Sequence, residues 1–175
     1  MLKRLIFLPL LLALVSGQAP KRQEAGSVPI KVYFSPSDNS PTAAIVGTLD
    51  NAKQTVLVQA YSFTSAPIAA ALKRAHDRGI EVKVILDKSQ QTERYSSATF
   101  LRHAGIPVWI DRKHAIAHNK VMIVDGRTVI TGSFNFTKSA EERNAENLLI
   151  INDSRIAAEY VGNWKKHQIH SEDSP

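Results

Sequence analysis

A histidine and a lysine stand two positions apart at the start of a run that otherwise has the composition of a buried strand. The run, residues 117–137, reads AHNKVMIVDGRTVITGSFNFT. An ammonium group beside an apolar layer costs free energy, so a lysine in such a place needs a chemical reason. Imidazole can act as a nucleophile near neutral pH, and an ammonium group holds negative charge as it develops. His118 and Lys120 are therefore the first candidates for catalysis.

A hairpin is predicted to position these two side chains. Asp125-Gly126 lies between valine-rich runs and favours a two-residue type I′ turn, which would place Lys120 opposite Thr131 and His118 opposite Ser133. Side chains alternate between the faces of a strand. One face would then carry the polar set His118, Lys120, Thr131, Ser133 and Asn135. The opposite, core face would carry Val121, Ile123 and Ile130.

Two acidic residues near the hairpin are predicted to have different roles. Asp125 is seven residues from His118, about 23 Å along a strand, so it cannot orient the imidazole and we expect it to be structural. A nucleophilic imidazole needs an acceptor on its other nitrogen to fix its tautomer. Glu146, which opens the next predicted strand, is the best candidate for that acceptor. The alternative is an exposed acid at a strand end.

These residues together resemble a known signature. The string His118-x-Lys120-x4-Asp125-Gly126, followed by Gly132-Ser133-x-Asn135 and Glu146, is similar to the HKD motif of the phospholipase D superfamily. It resembles in particular the small bacterial endonucleases called Nuc, which carry one motif per chain after a signal peptide. The resemblance implies metal-independent phosphodiester cleavage through a covalent phosphohistidine at His118, with no cofactor. Lys120 and Asn135 would bind the phosphate oxygens, and Ser133 would add a hydrogen bond.

In-line displacement then requires a second acid. The attacking and leaving groups lie on opposite sides of phosphorus, so one His118 cannot both attack and protonate the leaving oxygen. Larger members of the superfamily carry two HKD motifs, whereas this chain carries one. A homodimer that brings two His118 side chains together is the simplest solution, and the resemblance implies the same arrangement.

The remaining histidines are predicted to have no catalytic role. His114 and His118 are four apart, a spacing that binds zinc on a helix, but here the segment leads into a strand. We therefore predict no metal site. The others are expected at surface or helix-cap positions: His76, His103, His167 and His170.

The amino terminus has the pattern of a secretory signal peptide. Residues 1–22 contain the basic pair Lys3-Arg4, an apolar run and small residues, and the apolar run is too short for a membrane anchor. We expect an exported protein, periplasmic or secreted. The chain has no cysteine, which excludes thiol chemistry.

Residues 23–175 are predicted to form one phospholipase D-like catalytic domain of the α/β class, with a mixed β-sheet layered between helices. Strand-like runs alternate with helical stretches, including one at 91–104. Removal of residues 1–19, which carry Lys3 and Arg4 and no acidic residue, lowers the formal net charge from +6 to +4, and this excess suits an anionic partner. We expect the substrate to be nucleic acid, with DNA as the first candidate and RNA as the alternative. The alternatives are a phospholipid or cardiolipin hydrolase of the same superfamily, with membrane lipid as substrate, and an inactive nucleic-acid-binding module.

Overall fold

The computed structural model describes residues 27–94 and 96–173, so the predicted signal peptide lies outside the described residues. The strands are β1 (Ile30–Ser35), β2 (Thr55–Ala60), β3 (Glu81–Asp87), β4 (Val108–Asp111), β5 (Lys120–Val124), β6 (Thr128–Gly132), β7 (Glu146–Asn152) and β8 (Glu172–Asp173). The helices are α1 (Pro41–Asp50), α2 (Ala66–Asp77), α3 (Ala98–His103), α4 (Lys138–Glu142) and α5 (Ser154–His170). Within these ranges, no helix combines the length and the hydropathy needed to cross a membrane.

The strands form one mixed sheet in the order β1-β7-β6-β5-β2-β3-β4-β8. The neighbours β2, β3 and β4 run parallel, and every other pair is antiparallel. Helical crossovers connect the parallel strands, as their geometry requires. The predicted α/β class with a mixed sheet is therefore confirmed.

Helices cover both faces of the sheet. On one face the larger core joins α1, α2 and α3 through fully buried side chains such as Ile45, Leu72 and Leu101. On the other face α5 packs Ala157 and Trp164 against β5 and β6. The indole nitrogen of Trp164 also donates to the carbonyl of Val58 at 2.9 Å, which fixes α5 to the central strand. The predicted layering of the sheet between helices is confirmed.

The predicted helix at 91–104 is wrong in its first half. A short 3-10 turn spans Lys88–Gln91, and α3 begins only at Ala98. The reason lies in contacts with the loop after β2. The N–H of Ser97 donates to the carbonyl of Phe63 at 2.8 Å, and the buried Gln90 accepts from the N–H of Phe63 at 3.0 Å. Because the N–H of Ser97 bonds to this distant carbonyl, the helix begins only after Ser97.

The hairpin has the predicted turn but not the predicted register. Asp125 and Gly126 have φ of 54° and 58°, and Arg127 donates to the carbonyl of Val124 at 3.0 Å, as in a type I′ turn. However, Arg127 does not enter the ladder, because its carbonyl accepts from Asp153, and Val124 pairs with Thr128 instead. The register is therefore shifted by one residue.

This shift changes which side chains share a face. Thr131 pairs with Val121 rather than with Lys120 and lies on the face covered by α5. Ile130 packs with Met122 in the larger core, not with Val121 and Ile123. The predicted single polar face is wrong, and Lys120 begins the row of side chains that faces the larger core.

Asp125 ties the hairpin turn to the loop before β2. Its carboxylate accepts from the backbone N–H groups of Lys53, Gln54 and Thr55 at 2.8–3.1 Å, and its own N–H donates to the carbonyl of Thr55 at 2.9 Å. Three backbone donors thus depend on one side chain at the end of the sheet opposite to His118.

Replacing this side chain tests whether its role is structural. We expect Asp125→Ala to lower the free energy of unfolding by about 1–2 kcal/mol, since partly exposed N–H groups lose their acceptor. The kcat of the folded protein should not change. Urea unfolding and steady-state kinetics measure the two effects, with the exposed Asp38→Ala as the matched control. A loss of kcat at a temperature where Asp125→Ala is fully folded would contradict the structural role.

Candidate active site

The candidate residues meet at one end of the sheet, where its central strands begin or finish. Lys120 is the first residue of β5 and pairs with Ala60, the last residue of β2. Glu146 is the first residue of β7, next to the end of β6 at Gly132. Because these neighbouring strands are antiparallel, β2 and β6 finish at the same end of the sheet at which β5 and β7 begin.

His118 and Lys120 are in direct contact. The Lys120 ammonium lies 3.1 Å from Nδ1 and 3.2 Å from Nε2 of His118, and it donates to the His118 carbonyl oxygen at 2.9 Å. The imidazole is exposed, whereas Lys120 is only 7% exposed. A reactive ring at the surface is thus backed by a buried positive charge, and a phosphate that reaches the ring also reaches the ammonium.

Burial acts on the charge of Lys120. Desolvation lowers the pKa of the Lys120 ammonium below its usual range, and the negative charge of Glu146 offsets part of this effect. A buried cation costs folding free energy, and its position at the edge beside an exposed imidazole indicates a functional reason for that cost.

Tyr61 contacts both members of this pair, and the sequence analysis did not single it out. Its ring centroid lies 4.5 Å from that of His118 and 5.1 Å from the Lys120 ammonium, a cation–π distance. Its N–H donates to the carbonyl of Asn119 at 2.8 Å. The signal available in the sequence was its place at the end of a β-rich run, residues 55–61, most of which forms β2 next to β5.

Asp87 positions the loop that precedes His118. Its buried carboxylate accepts from the N–H of Ala117 at 2.7 Å. Burial would raise the pKa of Asp87, but the backbone hydrogen bonds from Ser89 and Ala117 outweigh it and hold the pKa below its usual value. Asp87 is a positioning residue that the sequence analysis missed, although it ends a predicted strand at the same edge of the sheet.

Ser133 and Glu146 form a hydrogen-bonded pair beside Lys120. The Ser133 hydroxyl donates to one Glu146 oxygen and accepts from the N–H of Asn147 at 3.1 Å. The other Glu146 oxygen accepts from Asn144 at 3.1 Å. Among the described residues no hydrogen bond joins Glu146 to His118 of the same chain. The acceptor role of Glu146 therefore stays a prediction, and within one chain its carboxylate acts on Ser133 and Lys120.

Asn135 carries an unpaired polar atom. Its Oδ1 is buried and has no hydrogen-bond partner among the residues that the structure describes. Leaving such an atom unpaired costs about 1–3 kcal/mol, so it calls for a specific explanation. An amide oxygen accepts and therefore needs a donor, which a phosphate oxygen does not supply. The role of Asn135 predicted from the GSxN string uses the amide nitrogen instead and stays a prediction.

Gly132 allows β6 and β7 to approach each other at the edge of the site. Its φ is +152°, and a Cβ built there would lie 2.3 Å from the carbonyl oxygen of Asn147. That oxygen also accepts from the N–H groups of Ser133 and Phe134 at 3.1 and 3.2 Å. The strand therefore turns at Gly132, and this turn lets Ser133 reach Glu146 despite the shifted register.

A methyl group at this position should separate the two strands. We expect Gly132→Ala to lower the free energy of unfolding by about 2–3 kcal/mol through the backbone clash and the unfavourable φ, and to lower kcat at temperatures where the variant is folded. Thermal unfolding and kinetics measure both effects. Gly47→Ala is the matched control, because a Cβ there meets nothing within 4 Å. Equal behaviour of the two variants would contradict this account of Gly132.

Three histidines lie apart from His118 around a second carboxylate. His114, His167 and His170 surround Asp111. His167 and His170 lie in the last turn of α5, as the expectation of surface or cap positions allowed, but their side chains are only 15% and 21% exposed and face Asp111 rather than solvent. Burial would raise the pKa of Asp111, but hydrogen bonds from His167, His114 and His170 hold it well below its usual range. The missed signal was the spacing of three between His167 and His170, which places both on one helix face.

Sequence comparisons identify relatives of this chain. Residues 45–167 match the family described as cardiolipin synthase, PLD-like domain. A phospholipase D of Rickettsia felis is 45% identical over 123 residues, which make up 70% of this chain and 62% of that protein. The mitochondrial cardiolipin hydrolase of Xenopus tropicalis is 33% identical over 131 residues, 75% of this chain and 62% of that protein. The matched part thus spans about three-fifths of the length of these relatives.

Solved structures agree with the sequence relatives. The phospholipase D family member Nuc from Salmonella typhimurium superposes with a TM-score of 0.80 at 37% identity, covering 85% of this chain and 99% of that one. NucT from Helicobacter pylori gives a TM-score of 0.78 at 24% identity, covering 85% of this chain and 100% of that one, which supports the fold alone. The resemblance found in the HKD string is thereby confirmed: the chain belongs to the phospholipase D superfamily of phosphodiester hydrolases and has the Nuc-type fold.

Proposed function

We propose that this protein is a metal-independent endonuclease that cleaves DNA, and in addition RNA, without sequence specificity. The observation that carries the proposal is the contact between the exposed His118 imidazole and the buried Lys120 ammonium. A phosphodiester in a polymer backbone can approach an exposed ring from solvent. Within residues 27–94 and 96–173 no element has the form of a base reader, so recognition would rest on the phosphates.

The chemistry would proceed in two displacements at phosphorus. A His118 ring nitrogen attacks, the phosphorus–oxygen bond to the leaving group breaks, and the leaving oxygen takes a proton from a second imidazole. Water then attacks the phosphohistidine, gives its proton to that second imidazole, and releases His118. Lys120 and Asn135 would hold the non-bridging oxygens in both steps, and Ser133 would add a hydrogen bond.

The second imidazole would come from a second copy of the chain. Supporting this proposal, the edge strand β1 exposes three large apolar side chains on one face: Ile30 is 52% exposed, Val32 49% and Phe34 62%. A contiguous apolar surface of this kind is typical of an interface. The next residue, Ser35, pairs with Glu146, so β1 reaches the site, although Ile30, Val32 and Phe34 point to the other face of the sheet. In a homodimer built on this edge, the Glu146 of one subunit could also serve as acceptor for the His118 of the other.

Charge supports nucleic acid as substrate. Without residues 1–19 the chain keeps a net charge of +4, and the exposed side chains of Lys113 and Lys138 lie on segments that flank His118 and Asn135 in sequence. Lysines at such positions attract a phosphate backbone from solvent and make the binding weaken as salt increases. We infer that substrate association is steered by charge.

A lipid substrate is the second candidate function. Ile116, two residues before His118, is 58% exposed, which offers an apolar contact beside the reactive ring. The names of the sequence relatives, phospholipase D and cardiolipin hydrolase, point in the same direction. A phospholipid or cardiolipin head group presents the same phosphodiester to the same residues.

One assay separates the candidates. Purified protein is incubated in excess EDTA with plasmid DNA, with RNA, and with vesicles of phosphatidylcholine or cardiolipin. The proposal expects nicking of DNA that persists in EDTA and is lost in His118→Ala but not in His103→Ala, an exposed histidine on α3. Lipid hydrolysis without nucleic-acid cleavage would support the second candidate. DNA binding without turnover on any substrate would leave the inactive binding module.

We also propose that residues 1–22 direct export, so that the enzyme acts in the periplasm or outside the cell. The basic start and the short apolar run support this proposal. Fractionation of cells that express the whole chain should recover a shortened product outside the cytoplasm. Deletion of residues 2–22 should retain the protein in the cytoplasm, and an unprocessed cytoplasmic product from the whole chain would contradict export.

A further inference from the structure

Asp111 is the centre of a cluster that the catalytic proposal does not use. It is the last residue of β4, and its side chain is fully buried. One oxygen, Oδ1, accepts from the backbone N–H groups of Lys113 and His114 at 3.1 and 3.2 Å. These bonds fix the carboxylate, so that the other oxygen, Oδ2, is held in one orientation.

Three imidazole nitrogens converge on that second oxygen. Nδ1 of His114 and Nδ1 of His167 each lie 2.9 Å from Oδ2, and Nε2 of His170 lies 3.4 Å from it. The ring centroids are 4.8–5.2 Å apart, and one ligand atom from each of the four residues lies within 4.8 Å of the others. The rings therefore point their nitrogens inward at one place instead of separating toward solvent.

Hydrogen bonding alone explains this convergence poorly. Oδ2 would have to accept from His167 and His170 and share the His114 donor with Oδ1, which lies 3.1 Å from Nδ1 of His114 and already accepts two backbone N–H groups. Three protonated rings around one buried carboxylate would bring several positive charges together with only one negative charge nearby. A divalent cation removes both difficulties, because neutral imidazoles and a carboxylate are its ordinary ligands and each ring turns a lone pair toward it.

We propose that Asp111, His114, His167 and His170 form a binding site for one Zn²⁺ ion. Three nitrogens and one carboxylate oxygen make a four-ligand set, and such sets favour zinc and its first-row neighbours over the oxygen-seeking Mg²⁺ and Ca²⁺. With all four positions filled by protein, the site would be structural rather than catalytic. It is separate from the chemistry proposed for His118.

The ion would join two segments that are far apart in sequence, residues 111–114 and residues 167–170. Asp111 ends β4, His167 and His170 lie in the last turns of α5, and His114 lies in the loop that leads to His118. The Lys88 ammonium holds the same loop through the His114 carbonyl at 3.3 Å. In a chain without cysteine, this site would link the carboxy-terminal helix to the loop before the reactive ring, as a disulfide would elsewhere.

Zinc binding is tested on protein without a polyhistidine tag, first dialysed against EDTA and then titrated with Zn²⁺. We expect one ion per chain and, at free Zn²⁺ about a hundredfold above Kd, a melting temperature higher by about 5–10 °C. Co²⁺ in place of Zn²⁺ should give the visible absorption of a tetrahedral site. His167→Gln and His170→Gln should lose both signals, whereas His103→Gln should keep them.

Each outcome decides the proposal. Absence of a Zn²⁺-dependent shift in the wild-type protein would overturn it and would leave a hydrogen-bonded cluster without metal. An equal shift in His167→Gln and wild type would also overturn it, by placing the ion elsewhere. The metal-free melting temperature of each variant shows whether it folds. Phosphodiesterase activity in EDTA, measured below that temperature, reports on the proposed function independently of the zinc site.

Discussion

A heterodimer with one His118→Asn subunit should cleave DNA about 10²–10⁴ times more slowly than the wild-type dimer, since the remaining imidazole can attack but no general acid protonates the leaving oxygen. Two independent sites would instead leave half of the activity. Co-expression of two differently tagged chains, followed by purification on both tags, gives the heterodimer. The control is a heterodimer of the same kind with His103→Gln in one subunit.

A substrate whose leaving group needs no proton distinguishes the two proposed roles of His118, nucleophile and general acid. An aryl phosphodiester releases a stable aryl oxide that needs no proton, so the heterodimer should still perform the first displacement on it. The second displacement lacks its base, and phosphohistidine should accumulate. We expect a burst of about one aryl oxide per heterodimer followed by slow turnover. Full steady-state turnover at one site, on DNA or on the aryl ester, would mean that a different group supplies the acid.

The chemistry of the site was more predictable than the geometry that supports it. His118 and Lys120 are two residues apart at the beginning of β5, so their contact could be predicted from the local sequence alone. Tyr61 and Asp87 reach the same place only because β2 lies between β5 and β3 in the sheet. That order depends on pairings between distant segments, which no local pattern contains.

The hairpin illustrates the same limit. Asp125-Gly126 correctly predicted a turn with two positive φ values, because that preference is local. The register was wrong because it depends on two distant contacts, from the Asp125 carboxylate to residues 53–55 and from the Arg127 carbonyl to Asp153. Ser133 still reaches Glu146, but through the turn at Gly132 rather than through the alternation of side chains that the sequence analysis assumed.

The histidine cluster was hidden for a related reason. His167 and His170 lie 56 and 59 positions after Asp111, and neither spacing resembles a local metal motif. The cluster forms because α5 crosses the sheet and ends beside β4. A search for pairs of histidines on one helix face would have selected these two residues, although it would not have found their carboxylate.

Lys120→Met should inactivate the enzyme and stabilise the fold at the same time. Loss of the ammonium would remove the charge that, in the proposed mechanism, holds the phosphate oxygens as the phosphoryl group transfers, so we expect kcat to fall by about 10²–10³-fold. The same change removes a buried cation whose pKa is lowered by burial, which should raise the free energy of unfolding by about 1 kcal/mol at neutral pH after the lost bond to the His118 carbonyl is deducted. Urea unfolding and kinetics measure the two effects.

The pH dependence of the free energy of unfolding tests the cause of the stability that Lys120→Met is expected to gain. Between the lowered pKa of folded Lys120 and the unfolded value of 10.5, the unfolded chain holds more protons, so this group makes the wild-type protein more stable as pH rises. The advantage of Lys120→Met is therefore largest below the folded pKa and should shrink as pH rises through it. Lys138→Met, at a side chain that is 79% exposed, should change neither stability nor its pH dependence. If Lys120→Met lowered the free energy of unfolding equally at every pH, the buried ammonium would be a net stabilising group. The protein would then lose no stability by keeping this charge in its candidate site.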